Sequence, residues 1–178
     1  LSYNYEDLEK DLLELGFKKF NAKQIFEWLH KKIVRKFDDM TNISLVQRDL
    51  LKETFYIPFL ELKEQLTHGN KETYIFELED LSKITAVAEN KDDKVILHIA
   101  SQTSTPKACS LLEVSNESYR NLDVSEILNQ VYTLHRRLKN RNLEINNVNF
   151  STEGEPLFNF DNLLNAVEIL TNENLSEI

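Results

Sequence analysis

The sequence predicts an α/β protein: a small helical domain over residues 1–60, then antiparallel strands and a partial parallel β/α sheet over residues 61–178. Three observations predict it. Apolar residues recur at helical spacing through the first sixty positions, the period changes to two from residue 61, and strand-like and helix-like runs alternate after "KVILHIAS".

Leu8, Leu12 and Leu15 form the first helical stripe, which Gly16 stops because glycine accepts the left-handed cap conformation. Asn21 with Gln24 reads as a capping box opening "NAKQIFEWLHKKIV", where Ala22, Ile25, Leu29 and Ile33 make one apolar face. Ser44 with Gln47 opens a third helix that carries Leu50, Leu51 and Phe55 and ends before Pro58. Trp28 and Phe26 are read as core aromatics rather than exposed stacking platforms.

"LKEQLTHGNKETYIFELED" alternates around His68-Gly69-Asn70 and reads as a hairpin. "SKITAVAE" and "KVILHIAS" are two further strands. Asp123 with Glu126 then caps a helix to about Asn140, with Ile127, Val131, Leu134 and Leu138 as its buried stripe. The strand "INNVNF" and a helix from Asp161 to about Thr171 follow. Two β/α units cannot close a barrel, so the last strand has unpaired backbone groups that the antiparallel strands, another copy or a different protein must cover.

Composition bounds the function. With 41% hydrophobic and 29% charged residues the chain is globular rather than disordered. No apolar run reaches the length of a membrane span, and the expected compartment is the cytoplasm. The chain begins at Leu1 rather than Met, which reads as a processed or trimmed piece. A single cysteine, Cys109, excludes an internal disulfide and any metal site built by one chain from thiolates alone. His30, His68, His98 and His135 fall on separate elements without ligand spacing, so no metal is expected. The net charge of −9 is carried entirely by residues 61–178, because the first sixty hold ten Lys/Arg against ten Asp/Glu. Within them Lys18, Lys19, Lys23, Lys31, Lys32, Arg35 and Lys36 cluster around one acid, Glu27, and form a candidate phosphate-contacting surface.

In β/α sheets ligands gather beyond the carboxyl ends of the strands, which singles out "SQTSTPKACSLLEVS" and "STEGEPLFNFDN". With "KKFNAKQIFEWLHKKIVRKFDDMTNIS", "ASQ" at 100–102, "RNLDVSEILNQV" and "GEPLFNFDNLLNA", these loops resemble, in order, segments of the RlmN/Cfr radical S-adenosylmethionine methyltransferases, which modify an adenine in ribosomal and transfer RNA. The resemblance implies an N-terminal RNA-docking domain and an incomplete radical-SAM-like barrel. It also implies a C-x-x-x-C-x-x-C motif holding a four-iron, four-sulfur cluster. Here those ligand positions are Thr105, Cys109 and Leu112, and only the middle one is a thiol. A threonine hydroxyl is a poor ligand for soft iron and leucine is none. The family's upstream glutamate falls on Thr85, and its cysteine before the SSQ segment falls on His98. Gly154, Glu155 and Pro156 match the segment that contacts the amino group of S-adenosylmethionine.

These readings together imply a catalytically silent relative that retains no cofactor and works through rRNA or tRNA binding. The alternatives are an active methyltransferase whose cluster a partner completes, and a dimerising or partner-binding module using the open sheet edge.

Overall fold

α1 spans Tyr5–Glu14, α2 Lys19–His30 and α3 Leu45–Thr54, with a short 3-10 turn at Phe37–Asp39 between the last two. They come from a computed structural model that describes residues 1–91, 94–105 and 119–172. Asn4 caps α1 by accepting from Asp7 N at 2.8 Å, and Leu8 and Leu12 are buried as their spacing demands. Gly16 follows the helix at φ +84°, the left-handed conformation expected of it. Ser44 caps α3 as predicted, its Oγ accepting from Gln47 N.

The second helix differs from expectation at both ends. Its N-cap is Lys18, whose backbone N–H donates to the Asn21 side chain at 3.2 Å, so Asn21 is the reciprocal residue of the box rather than its cap. It ends at His30 instead of running to Val34. Lys31 N and Lys32 N both donate to Glu27 O, and Ile33 turns into the left-handed region at φ 51°. The reversal takes Lys31 to Lys36 off the helix onto an irregular stretch on which the four cations are exposed while Ile33 and Val34 are half-buried.

The strands are β1 Glu61–His68, β2 Lys71–Glu77, β3 Lys83–Lys91, β4 Lys94–Ile99 and β5 Ile145–Phe150. They form one sheet in chain order; β1 to β4 pair antiparallel and β4 with β5 parallel, which makes the sheet mixed. The hairpin turn is where the pattern put it, with Gly69 at φ +60°. Between β4 and β5 runs α4, Val124–Lys139, capped by Asp123 and Glu126 as predicted. A 3-10 turn, Pro156–Asn159, then leads into α5, Phe160–Leu170.

The sheet has one buried and one open face. Ile84, Ala86 and Ala88 of β3 and Val95, Leu97 and Ile99 of β4 are solvent-free, as are Ile127, Val131, Leu134 and Leu138 of α4. Removing each valine, leucine or isoleucine side chain from water contributes about 2 kcal/mol and each alanine methyl under about 1, which is why the period-two strands and the period-3.6 helix meet on these residues. A buried carboxylate ties the end of α4 into this layer. Glu72 accepts from Tyr74 Oη at 2.5 Å and from Arg141 at 2.7 Å. Burial pushes the Glu72 carboxyl up, but these two partners outweigh it and hold it below the usual range.

The chain divides into two compact units, one of Leu1–Phe59 with the stretch from Asn165, the other of Leu60–Leu164. Among the described residues no helix is long and apolar enough to cross a membrane.

Candidate functional site

β4 and β5 run parallel, so the loops that follow them emerge side by side. Ile99 O accepts from Ser151 N at 3.1 Å, and Ser101 N and Gln102 N both donate to Glu153 O, at 2.9 and 3.3 Å. The two candidate loops are therefore one hydrogen-bonded layer. Gly154 sits at its tightest point: at φ +103°, a Cβ there would stand 2.5 Å from Ser101 Oγ and 2.8 Å from Gln102 N. Only glycine fits such a conformation at such a distance.

Thr105, the first of the three ligand positions, accepts from Gly154 N at 3.1 Å through its hydroxyl. Cys109 and Leu112 lie outside the described residues. Glu155 N donates to the Gln102 side chain at 2.9 Å, while the Glu155 carboxylate accepts from Leu157 N at 3.3 Å and caps the 3-10 turn that Pro156 opens. Gly154, Glu155 and Pro156 thus build a turn, with the carboxylate turned to its own backbone.

Thr85 and His98 lie on the open face of the sheet. Thr85 engages the second loop through its backbone, donating to Glu153 Oε2 at 3.0 Å and accepting from Thr152 Oγ1 at 2.7 Å. His98 Nδ1 is 2.8 Å from Ser151 Oγ, and its Nε2 is 3.4 Å from Glu89 Oε2. The structure brings Thr105, Thr85 and the 154–156 turn together through residues 151–154, and His98 joins them through Ser151.

A cluster of the kind implied by the resemblance requires three thiolates. The chain has one cysteine, and the hydroxyl at the first ligand position is taken by the Gly154 amide. These residues do not fit that cluster. Among the described residues no three His, Cys, Asp or Glu side chains group as metal ligands.

Four further residues hold this layer, none of them singled out by the sequence pattern. Gln130, solvent-free on α4, accepts from Ala100 N at 2.8 Å and donates to Ala100 O at 3.1 Å, clamping the residue that leaves β4. Asn159 Nδ2 donates to Ser101 O and Leu122 O, at 2.7 and 2.8 Å. Asn121 accepts from Gln102 Nε2 at 2.7 Å. Arg120 pairs with Asp80 at 2.6 Å and with both oxygens of Glu126, at 2.7 and 2.8 Å. Its guanidinium holds the Asp80 carboxyl down at about 2, and its own pKa is raised by Glu126 in return. A polar side chain in an otherwise apolar helical stripe, as at Gln130, is the one signal that was available beforehand.

In the helical unit all seven predicted cations are exposed. Lys19 is paired with Glu9 at 3.0 Å, Lys32 Nζ lies 3.4 Å above the centre of the Trp28 ring, and Arg35 stands 5.6 Å from that of Phe59. Phe26 is core as expected. Trp28 is half-buried, covered by Lys32 and held by Asn42 through its indole N–H. Phe20, between Lys19 and Lys23 in sequence, is 58% exposed.

Residues 1–57 match the family model described as the ribosomal RNA large subunit methyltransferase RlmN N-terminal domain. Among curated proteins, two with the printed name "Probable dual-specificity RNA methyltransferase RlmN" are each 34% identical to this chain. They come from Thermotoga sp. (strain RQ2) and Petrotoga mobilis, and each alignment covers all of this chain and 52% of the relative. The chain spans about half the length of the curated relatives it matches. The solved crystal structure of a radical SAM methyltransferase from Sphaerobacter thermophilus superposes with a TM-score of 0.84 at 23% identity, over 97% of this chain and 52% of that one, and shares its fold. Residues 1–57 are thus similar to the RlmN N-terminal domain, and the chain is homologous along its whole length to about half the length of the RlmN-type RNA methyltransferases it matches.

Proposed function

We propose that this chain is a catalytically silent homologue of the RlmN/Cfr methyltransferases that docks on ribosomal or transfer RNA through its N-terminal helical unit. The observation that carries the silence is the ligand set: one cysteine where the cluster needs three, with Thr105 already hydrogen-bonded to Gly154. Without cluster iron to chelate its amino and carboxylate groups, S-adenosylmethionine has little to bind, and Glu155 caps a turn instead. The loop layer is thus a scaffold.

RNA docking is supported by the RlmN N-terminal match and by the exposed cations. Lys31, Lys32, Arg35 and Lys36 follow one another on the irregular stretch after α2, where each phosphate contact would release a counterion and gain affinity at low salt. The acidic 61–178 stretch, eleven Lys/Arg against twenty Asp/Glu, would repel RNA and confine docking to the helical unit.

The test is binding of the purified chain to transfer RNA and to a ribosomal RNA fragment across a salt series, beside a variant with those four cations neutralised. Steep weakening with salt, and a smaller slope in the variant, is the expected outcome. Absence of binding at low salt removes the docking role. Separately, anaerobic reconstitution to about four irons per chain with cleavage of S-adenosylmethionine would refute the silence.

A further inference from the structure

We propose that RNA binding extends α2 by one turn, through Val34, and that the extension gathers Lys31, Lys32 and Arg35 on one helical face against the phosphates. The inference rests on the docking reading above and adds how the binding surface forms. Ile33 is the residue that carries it. A β-branched side chain in the left-handed region is strained, and Ile33 stands there at φ 51°. Gly16 closes α1 in the same region at φ +84°, but as a glycine it does so without steric cost. Nothing in the local sequence calls for a turn at Ile33, since no glycine, asparagine or proline stands between Lys31 and Lys36.

The alternative conformation is written in the same residues. Ile33 follows Leu29 by four positions and Ile25 by eight, both buried, so a continued helix lays it on their stripe. In the turned chain Ile33 and Val34 are only half-buried. Charge opposes the continuation, because Lys31 with Arg35 and Lys32 with Lys36 would be like-charged neighbours four residues apart. The turn also has ties of its own: Val34 N donates to Trp28 O at 3.1 Å, and Arg35 stands 5.6 Å from the centre of the Phe59 ring. Opposed costs keep the two conformers close in free energy, and a ligand shifts them by its differential affinity. Phosphates supply that difference by offsetting the repulsion that blocks the helix. At 3.6 residues per turn, Lys31, Lys32 and Arg35 then fall within about a third of the helix circumference, where one polyanion meets all three.

The test reads the Cα carbon chemical shifts of Ile33 and Val34 by NMR on the full chain, free and with saturating transfer RNA. They are expected to be non-helical in the free chain and helical in the complex. Lys31→Glu turns one repelling pair into an attracting one and is expected to move both shifts to helical values with no RNA present. Ile33→Gly relieves the strain of the turn and penalises the helix. It is expected to hold Val34 at its free-state shift in the presence of RNA and to weaken binding roughly tenfold, because less of the competent conformer is populated. Transfer RNA that binds while Ile33 stays unmoved overturns the extension and leaves the docking reading standing. No binding at low salt overturns docking and the extension with it. A folded Lys31→Glu chain whose Ile33 keeps the wild-type shift, or an Ile33→Gly chain that binds as tightly as wild type, overturns the extension alone.

Discussion

The loop layer beyond β4 and β5 and the cationic stretch after α2 both hold residues the sequence marks as functional, yet they treat polar groups in opposite ways. In the loop layer the described polar groups answer other groups of the protein: Thr105 and Glu155, which the sequence marks, hold Gly154 and Leu157, and Gln130, which it does not, holds Ala100. On the cationic stretch Lys31, Lys32, Arg35 and Lys36 are exposed, with aromatic faces under Lys32 and Arg35 and, among the described residues, no carboxylate paired with any of the four. Polar residues that satisfy one another make a scaffold, and polar residues that stay hydrated keep their capacity for a ligand.

Substitutions sharpen that contrast. The largest effect is expected from Gly154→Ala, which forces a side chain into the left-handed region and against Ser101 and Gln102. It should lower unfolding free energy by about 4 kcal/mol, read by urea titration. Gln130→Ala should cost about 3 kcal/mol, because it strands both backbone groups of Ala100 in a solvent-free site, and thermal unfolding will show it.

Acid probes the helical unit. Burial, with a smaller contribution from the chain's amino terminus, drives the His30 pKa down to about 3. Its unfolded-state value is near 6.5, so the unfolded chain takes up the proton first. Stability is full above that pH and falls as pH drops toward 3, by about 2 kcal/mol at pH 5. His30→Phe should flatten this dependence, and tryptophan fluorescence of Trp28 will follow it. Smallest is the stability change on neutralising Lys31, Lys32, Arg35 and Lys36: below about 1 kcal/mol, against a large loss in salt-dependent RNA affinity. If stability and affinity fell together, the contrast between scaffold and surface would fail.

Much of this was legible in the sequence. The β5 strand, the Asp123 cap and the four buried aliphatics of α4 follow from periodicity and capping chemistry alone, because these signals are local. The early end of α2 was not legible: Ile33 continues the apolar stripe in sequence, and only the tertiary reversal at Glu27 carries it into the left-handed region. At the site, Gly154 and Thr105 could be named from motif resemblance, but their mutual hydrogen bond spans 49 residues and leaves no periodic trace. Gln130, Asn121 and Asn159 stayed hidden for the same reason: their partners are backbone atoms, whose identity no sequence pattern encodes. Cys109 and Leu112, the other two ligand positions, fall outside the described residues.

The Gln130 clamp also makes one amide a clock. Ala100 N–H is held by a helix side chain rather than by a neighbouring strand, so solvent deuterium reaches it only when α4 lifts from the sheet. Its exchange rate would time the lifting of α4 from the sheet through a single proton.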